Sequence, residues 1–142
     1  MTELFLIVSI AGRWVALPAT EVKSAVDISG IVAVPRAPAA VRGLAALRSR
    51  VVTVIDTAVS LGGPPTEPVT RAVIAEVQGH HYALLIDALD DVFALERQPL
   101  SPGLGMEGQW TACATGIVER EGEPLLVLDL SCLVPSGLAQ AA

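Results

Sequence analysis

Val41-Arg42-Gly43-Leu44-Ala45-Ala46-Leu47-Arg48-Ser49-Arg50-Val51-Val52-Thr53-Val54-Ile55-Asp56 is the stretch on which the reading of this chain turns. Gly43 marks a bend, Arg48 stands in an apolar setting, and a strand then alternates Val51, Thr53 and Ile55 against Val52 and Val54. Asp56 is a candidate N-cap for a short helical segment over Thr57–Leu61, which Gly62 would end. The outline returns later, from Thr115-Gly116-Ile117-Val118 to Leu125-Leu126-Val127-Leu128-Asp129-Leu130. Thirteen positions separate Gly43 from Asp56, and thirteen separate Gly116 from Asp129.

Working outward, the segments before each copy repeat as well. Leu4–Ile10 reads as a strand, Ala11-Gly12-Arg13 as a turn, and Trp14–Leu17 as the return strand. Arg71–Val77, Gln78-Gly79-His80 and Tyr82–Ile86 follow the same plan, and an identical Ala-Leu pair closes both (Ala16-Leu17, Ala83-Leu84). Between them, Pro18–Lys23 suits one helical turn, and Val26–Val34 is β-branched with a bend at Gly30. Pro35 and Pro38 end that strand and start a short turn over Ala39–Arg42. Gly62-Gly63-Pro64-Pro65-Thr66-Glu67-Pro68 can form neither helix nor interior strand and reads as a linker. Arg97–Ala112 is a polar, Pro- and Gly-rich loop.

Two copies of a unit with four or five short strands predict an all-β chain: two small barrels packed together, with short helical turns. The halves fall at about residues 1–63 and 69–135, with strand exchange between them open and 136–142 as a frayed tail. Each half is too small to bury much surface alone, so a shared apolar seam is expected.

Composition narrows the partners. The chain is 52% hydrophobic and only 4% aromatic, with mean hydropathy +0.59, which suggests surfaces covered by other proteins. A net charge of −6, a pI near 4.7 and a single lysine, Lys23, argue against nucleic acid and anionic membrane surfaces. The apolar run Leu4–Ala11 is too short to span a bilayer and follows Glu3, so it reads as a core strand and not as a signal peptide. Cys113 and Cys132 lack disulfide-framework or metal spacing and read as small core hydrophobes. These features point to the cytoplasm, with no insertion into a membrane.

No catalytic constellation emerges. His80-His81 has no third residue at metal-ligand spacing, so no metal site is expected. Asp87, Asp90, Asp91 and Glu96 have no nucleophile or base beside them and read as a solvated acidic edge. Gly62-Gly63 and Gly103-Leu104-Gly105 lack the lysine and helix of a phosphate loop. No cofactor is expected. Arg48 is a candidate contact residue, since a guanidinium can bridge carboxylate and carbonyl groups of a partner. Arg50 reads as solvated.

In order and spacing, several motifs resemble the CheW family of coupling proteins of bacterial chemotaxis: the apolar first strand, Val34-Pro35-Arg36-Ala37-Pro38, Arg42-Gly43-Leu44, Leu47-Arg48, Val54-Ile55-Asp56, Leu61-Gly62, Leu85-Ile86-Asp87 and Leu128-Asp129-Leu130. The resemblance runs from about Leu4 to Val134 and implies two SH3-like five-stranded barrels without catalytic activity. It implies an adaptor between the cytoplasmic tip of a chemoreceptor and the regulatory domain of a CheA-type histidine kinase. On that resemblance the partner-binding positions are Val22, Ser24, Arg42, Gly43, Leu47, Arg48, Leu89 and Val92. Four positions depart from the family pattern: Ala46 replaces its Asn, Ser49 its Gly, Thr53 its Pro and Ser24 an acidic residue. Other readings are an adaptor of a two-component pathway that does not control motility, and a small-ligand sensor using a barrel cavity.

Overall fold

The computed structural model describes residues 2–47, 50–67, 71–100 and 109–134. Ten strands form in chain order: β1 (Glu3–Ile10), β2 (Arg13–Pro18), β3 (Val22–Asp27), β4 (Val41–Leu47), β5 (Arg50–Asp56), β6 (Arg71–Val77), β7 (His80–Ile86), β8 (Ala88–Leu95), β9 (Ala114–Arg120) and β10 (Glu123–Leu128). Three short helices accompany them: α1 (Thr57–Ser60), α2 (Gln109–Cys113) and α3 (Leu130–Leu133). A 3₁₀ turn at Ala19–Glu21 follows Pro18, where one helical turn is expected.

The strands make two five-stranded sheets, ordered β8-β1-β2-β10-β9 and β3-β6-β7-β5-β4. The repeat is therefore exchanged. Each half gives its first hairpin to one sheet and its last three strands to the other, and a parallel pairing joins the two contributions (β10 with β2, β5 with β7). Three hairpins turn through two residues of positive φ, Ala11-Gly12, Gln78-Gly79 and Glu121-Gly122, the tight turn that matches strand twist.

The outer strands of each sheet are not paired as a ladder. Instead, the chain running on from one makes a single two-bond bridge to the other. Val32, beyond β3, exchanges both backbone hydrogen bonds with Leu44 of β4, and Gln98, beyond β8, does the same with Ile117 of β9. The paired glycines of the repeat sit beside these bridges for a steric reason. A Cβ on Gly43 would meet the Val32 carbonyl oxygen at 2.1 Å, and one on Gly116 the Gln98 carbonyl oxygen at 2.9 Å. Gly43 also has φ +142, a conformation side chains rarely adopt.

Burial follows the strand alternation. Phe5 and Ile7 of β1 point into the first sheet with Ala16, Val118, Leu125 and Val127. Ala45, Val52, Val54, Ala72, Ala83 and Leu85 fill the second. Between the sheets lies a third and larger core, in which Leu6, Val8, Ile10 and Leu17 meet Ile55, Val73, Leu84 and Ile86, with Leu130 and Leu133 of α3. That is the shared seam.

The quoted stretch is a complete hairpin, β4 and β5, whose connecting residues Arg48 and Ser49 lie outside the described residues. Other sequence expectations need correction. The strand expected over Val26–Val34 falls on Val22–Asp27, because its partner β6 begins at Arg71, opposite Asp27. Beyond that point Gly30 and Arg36 adopt positive φ, and Val32 keeps only its bridge. The loop expected over Arg97–Ala112 contains the start of α2 and the bridge at Gln98, while 101–108 lie outside the described residues, as does the tail 136–142.

Asp56 occupies the N-cap position of α1, yet its side chain does not cap it. The fully buried carboxylate turns instead to the linker and to β4. It accepts from the Thr66 backbone N–H (2.9 Å), the Thr66 hydroxyl (2.7 Å) and Arg42 Nη1 (3.1 Å). Asp129, its counterpart in the repeat, does cap its helix, accepting from the Ser131 N–H at 3.0 Å. The acidic edge is also more engaged than expected: Asp87 accepts from the Gly12 N–H at 2.9 Å, and Asp90 pairs with Arg120. Cys113 and Cys132 are joined by a disulfide, correcting their reading as unlinked core residues. Their spacing hides this because the β9–β10 hairpin folds between them and returns α3 to α2.

Three outcomes are expected. Residues 1–63 or 69–142 expressed alone show no cooperative thermal transition by circular dichroism, since neither half holds a complete sheet. Asp56→Ala lowers stability in urea unfolding by about 3 kcal/mol, the cost of leaving buried donors and a charge unpaired. Gly43→Ala costs about 3 kcal/mol or more, and clearly more than Gly116→Ala, because only Gly43 adds unfavourable φ to a backbone collision.

Candidate functional site

The positions singled out in the sequence fall into three places. Ser24 on β3 and Leu47 at the end of β4 come together at the open end of the second sheet. They line a cavity of about 350 Å³ with Lys23, Val26, Arg50, Val52, Ile74 and His81. Its floor is the sheet's own interior, since Val26, Leu47, Val52 and Ile74 belong to that core. Strand registers bring these residues together: Ser24 lies opposite Ile74, and Leu47 opposite Arg50. Arg48, which follows Leu47 directly, lies outside the described residues.

The rim is polar and internally paired. Arg50 Nη1 lies 2.6 Å from His81 Nδ1. A guanidinium can only donate, so Nδ1 is the acceptor in this contact and the other ring nitrogen is Nε2. That nitrogen faces Glu76 Oε2 at 3.7 Å, and Lys23 Nζ lies 3.5 Å from the same oxygen. Arg50 is therefore not simply solvated, and His81 is not a bare turn residue. Sequence reading missed Lys23, Arg50 and His81 as a group. The signal available was only their alternation on β3, β5 and β7, which does not reveal which strands are neighbours.

Val22 and Leu89 occupy the second place, at the seam, where both pack against the inter-sheet core. Val92, further along β8, pairs in register with Leu6 and is 43% exposed, and Leu4 on the same face of β1 is 56% exposed. Together they form an apolar margin running out of the seam. Burial raises the Tyr82 phenol inside the seam above its ordinary value.

Arg42 and Gly43 form the third place, within the scaffold. Arg42 donates to Asp56 and to the Thr66 carbonyl at 3.4 Å, and Gly43 makes room for the Val32 bridge. Just outside them, Val32, Leu44 and Val51 share the outer face of the second sheet and are all exposed, Val51 at 64%. Sequence reading placed Val51 on the face opposite Val52 and Val54 but did not draw out this stripe. Val32 joins it only through a bridge that no local pattern signals.

The arrangement offers concave and flat apolar surfaces with a few charged groups at their margins, the anatomy of protein–protein interfaces. Among the described residues no group of three or more His, Cys, Asp or Glu is placed to hold a metal, and no helix is long and apolar enough to cross a membrane.

Comparison with known proteins agrees with this geometry. The profile of the CheW-like domain matches residues 4–137. The chain is similar to the chemotaxis protein CheW of Rhizobium meliloti, at 31% identity over 111 residues, covering 76% of this chain and 72% of the relative. It is also similar to a probable chemotaxis protein CheW of Rhizobium etli, at 30% identity over 116 residues, covering 78% and 73%. Its fold matches the crystal structure of the scaffolding protein TtCheW from Thermoanaerobacter tengcongensis, with a TM-score of 0.81 and 22% identity over 96% of each chain. With one profile spanning both exchanged sheets and the seam between them, the chain belongs to the CheW-like family of non-enzymatic scaffold proteins.

Proposed function

We propose that this protein is a cytoplasmic adaptor of bacterial chemotaxis signalling, coupling the cytoplasmic tip of a chemoreceptor to the regulatory domain of a CheA-type histidine kinase. The observation that carries this reading is the family match over residues 4–137, which takes in both sheets and the seam. An adaptor needs two separable surfaces and no chemistry of its own. The mouth of the second sheet, with Ser24, Leu47 and the adjoining Arg48, serves as one contact surface, and the seam margin, with Val22, Leu89 and Val92, as another. Arg42 and Gly43 support recognition by holding the β4–β5 hairpin in place.

Arg48 is the strongest single contact in this reading. It directly follows Leu47, which lines the cavity, in the sequence, and arginine is favoured among residues that dominate binding. The four departures from the family pattern at Ser24, Ala46, Ser49 and Thr53 change which side chains the chain offers a partner. They favour a receptor partner whose tip differs to match, including one in a pathway that does not control motility.

The test is isothermal titration of the protein with its cognate kinase regulatory domain and with a soluble receptor-tip fragment, at physiological salt. Binding to both is expected, with Arg48→Ala weakening the receptor interaction by about 2 kcal/mol or more, roughly 30-fold, at unchanged melting temperature. Arg48→Lys restores part of the loss, because lysine keeps the charge without the planar fork. Arg50→Ala, which removes a rim contact with His81, stays within about 0.5 kcal/mol in stability. No heat with either partner, or loss of stability in place of binding for Arg48→Ala, overturns the assignment.

A further inference from the structure

Cys113 ends α2 and Cys132 lies within α3, their Cα atoms 5.4 Å apart, and they are the chain's two cysteines. We propose that this pair is a reversible modification site, a thiol–disulfide couple oxidised by low-molecular-weight disulfides and reduced by low-molecular-weight thiols. Three observations converge on it.

The pair is asymmetric in access. Cys113 is fully buried in the inter-sheet core, whereas Cys132 is partly exposed at the edge of that core, next to exposed Ser131. A small disulfide can reach Cys132 but not Cys113. That is the division of labour between an attacking and a resolving thiol.

Nearby backbone bonds already hold the two positions together without the sulfur–sulfur bond. The Asp129 N–H donates to the Cys113 carbonyl at 2.8 Å, tying the end of α2 to the start of α3. The β9–β10 ladder runs from Arg120 and Glu123 down to Ala114 and Leu128, the residues beside that tie. The Ser60 hydroxyl donates to the Leu133 carbonyl at 2.6 Å and fixes the far end of α3. After reduction the thiols still face one another, so reclosure is intramolecular and fast relative to capture of a second small molecule.

The bond also pins a particular region. α2 and α3 cover the inter-sheet core, to which Cys113, Leu130, Leu133 and Val134 contribute, with Trp110 packed against it. The oxidised state therefore staples a lid over the seam. In a reducing cytoplasm such bonds are mostly transient and redox-sensing. The compartment rests on the adaptor reading above, but the thiol chemistry does not.

The steps balance as ordinary exchange. The Cys132 thiolate attacks one sulfur of oxidised glutathione, forming a mixed disulfide and releasing one glutathione thiolate. The Cys113 thiolate then attacks Cys132 Sγ, forming the protein disulfide and releasing the second. Two protons leave the protein thiols and protonate the two glutathione thiolates. The protein loses two electrons and the small disulfide gains them.

The experiment is titration of the purified full chain, under native conditions, with mixtures of reduced and oxidised glutathione. Free thiols are counted by intact mass after alkylation, and the emission of the two tryptophans, Trp14 and Trp110, is followed in parallel. Two thiols are expected to disappear together in one transition that reverses fully on adding reduced glutathione. Cys113→Ser is expected to accumulate a stable glutathione adduct at Cys132, and Cys132→Ser to remain unmodified at Cys113. The oxidised protein is expected to melt about 8 °C above the reduced one, from the usual gain of closing a loop of this length. The difference should vanish in the double serine variant. Two thiols that persist in excess oxidised glutathione overturn the proposal, as does a wild-type adduct that never resolves or equal modification of both single variants. If the serine variants fail to fold, the wild-type thiol count and melting shift decide it alone. A protein that binds no kinase domain but shows this titration overturns the adaptor reading and leaves the redox site standing.

Discussion

A single buried carboxylate holds the middle of this molecule together. Asp56 ends β5, the central strand of the quoted stretch, and is fully buried. An ionised group in that position is costly unless its oxygens are satisfied. Here they accept from Arg42 on β4 and from both the backbone and the hydroxyl of Thr66 in the linker. The backbone N–H of Asp56 in turn donates to the Ala40 carbonyl at 2.7 Å. One residue thus fastens the hairpin, the segment leading into it, and the linker that carries the chain to the second half. The linker is proline- and glycine-rich, yet its Thr66 is buried, because Asp56 supplies the polar partners its backbone lacks.

The linker has to be held because the two halves are exchanged. The chain lays down β1 and β2 in one sheet, crosses to lay down β3, β4 and β5 in the other, adds β6 and β7 beside them, and returns with β8, β9 and β10. Every crossing runs past the inter-sheet core, so folding of each sheet depends on both halves of the sequence. This topology also creates the candidate surfaces. The mouth of the second sheet exists only where β3, β4 and β5, from the first half, meet β6 and β7 from the second. The seam margin exists only where β8 returns beside β1. A scaffold that connects partners benefits from this construction, since its surfaces are fixed relative to one another by a common core and not by a hinge.

How much of the site could be read from the chain depends on whether its residues act locally. Leu47 and Arg48 stand out in sequence because an apolar–basic pair just before an alternating strand is a local feature. Ser24 is unremarkable until the β3–β6 register places it in the same cavity as Leu47. Arg42, two residues into its strand, looks like a contact candidate, yet its guanidinium is turned inward to Asp56, fourteen positions away. The cysteines show the same limit more sharply. Nineteen residues of separation carry no spacing signal, and only the return of the β9–β10 hairpin makes them neighbours.

Period-two alternation and the repeat of glycine and aspartate at equal spacing determined that this chain is all-β and duplicated. Turn chemistry determined its hairpins, because Ala11-Gly12 and Gln78-Gly79 can adopt the positive φ that a two-residue turn demands. These are properties of neighbouring residues, and neighbouring residues are what a sequence displays. Which hairpin joins which sheet was decided only in three dimensions, as was the use made of each repeated aspartate, one gripping a linker and the other capping a helix. The reason is that pairing between distant strands is set by burying one continuous core against another. The free energy of that burial depends on shape and area summed over both halves, which no local pattern encodes.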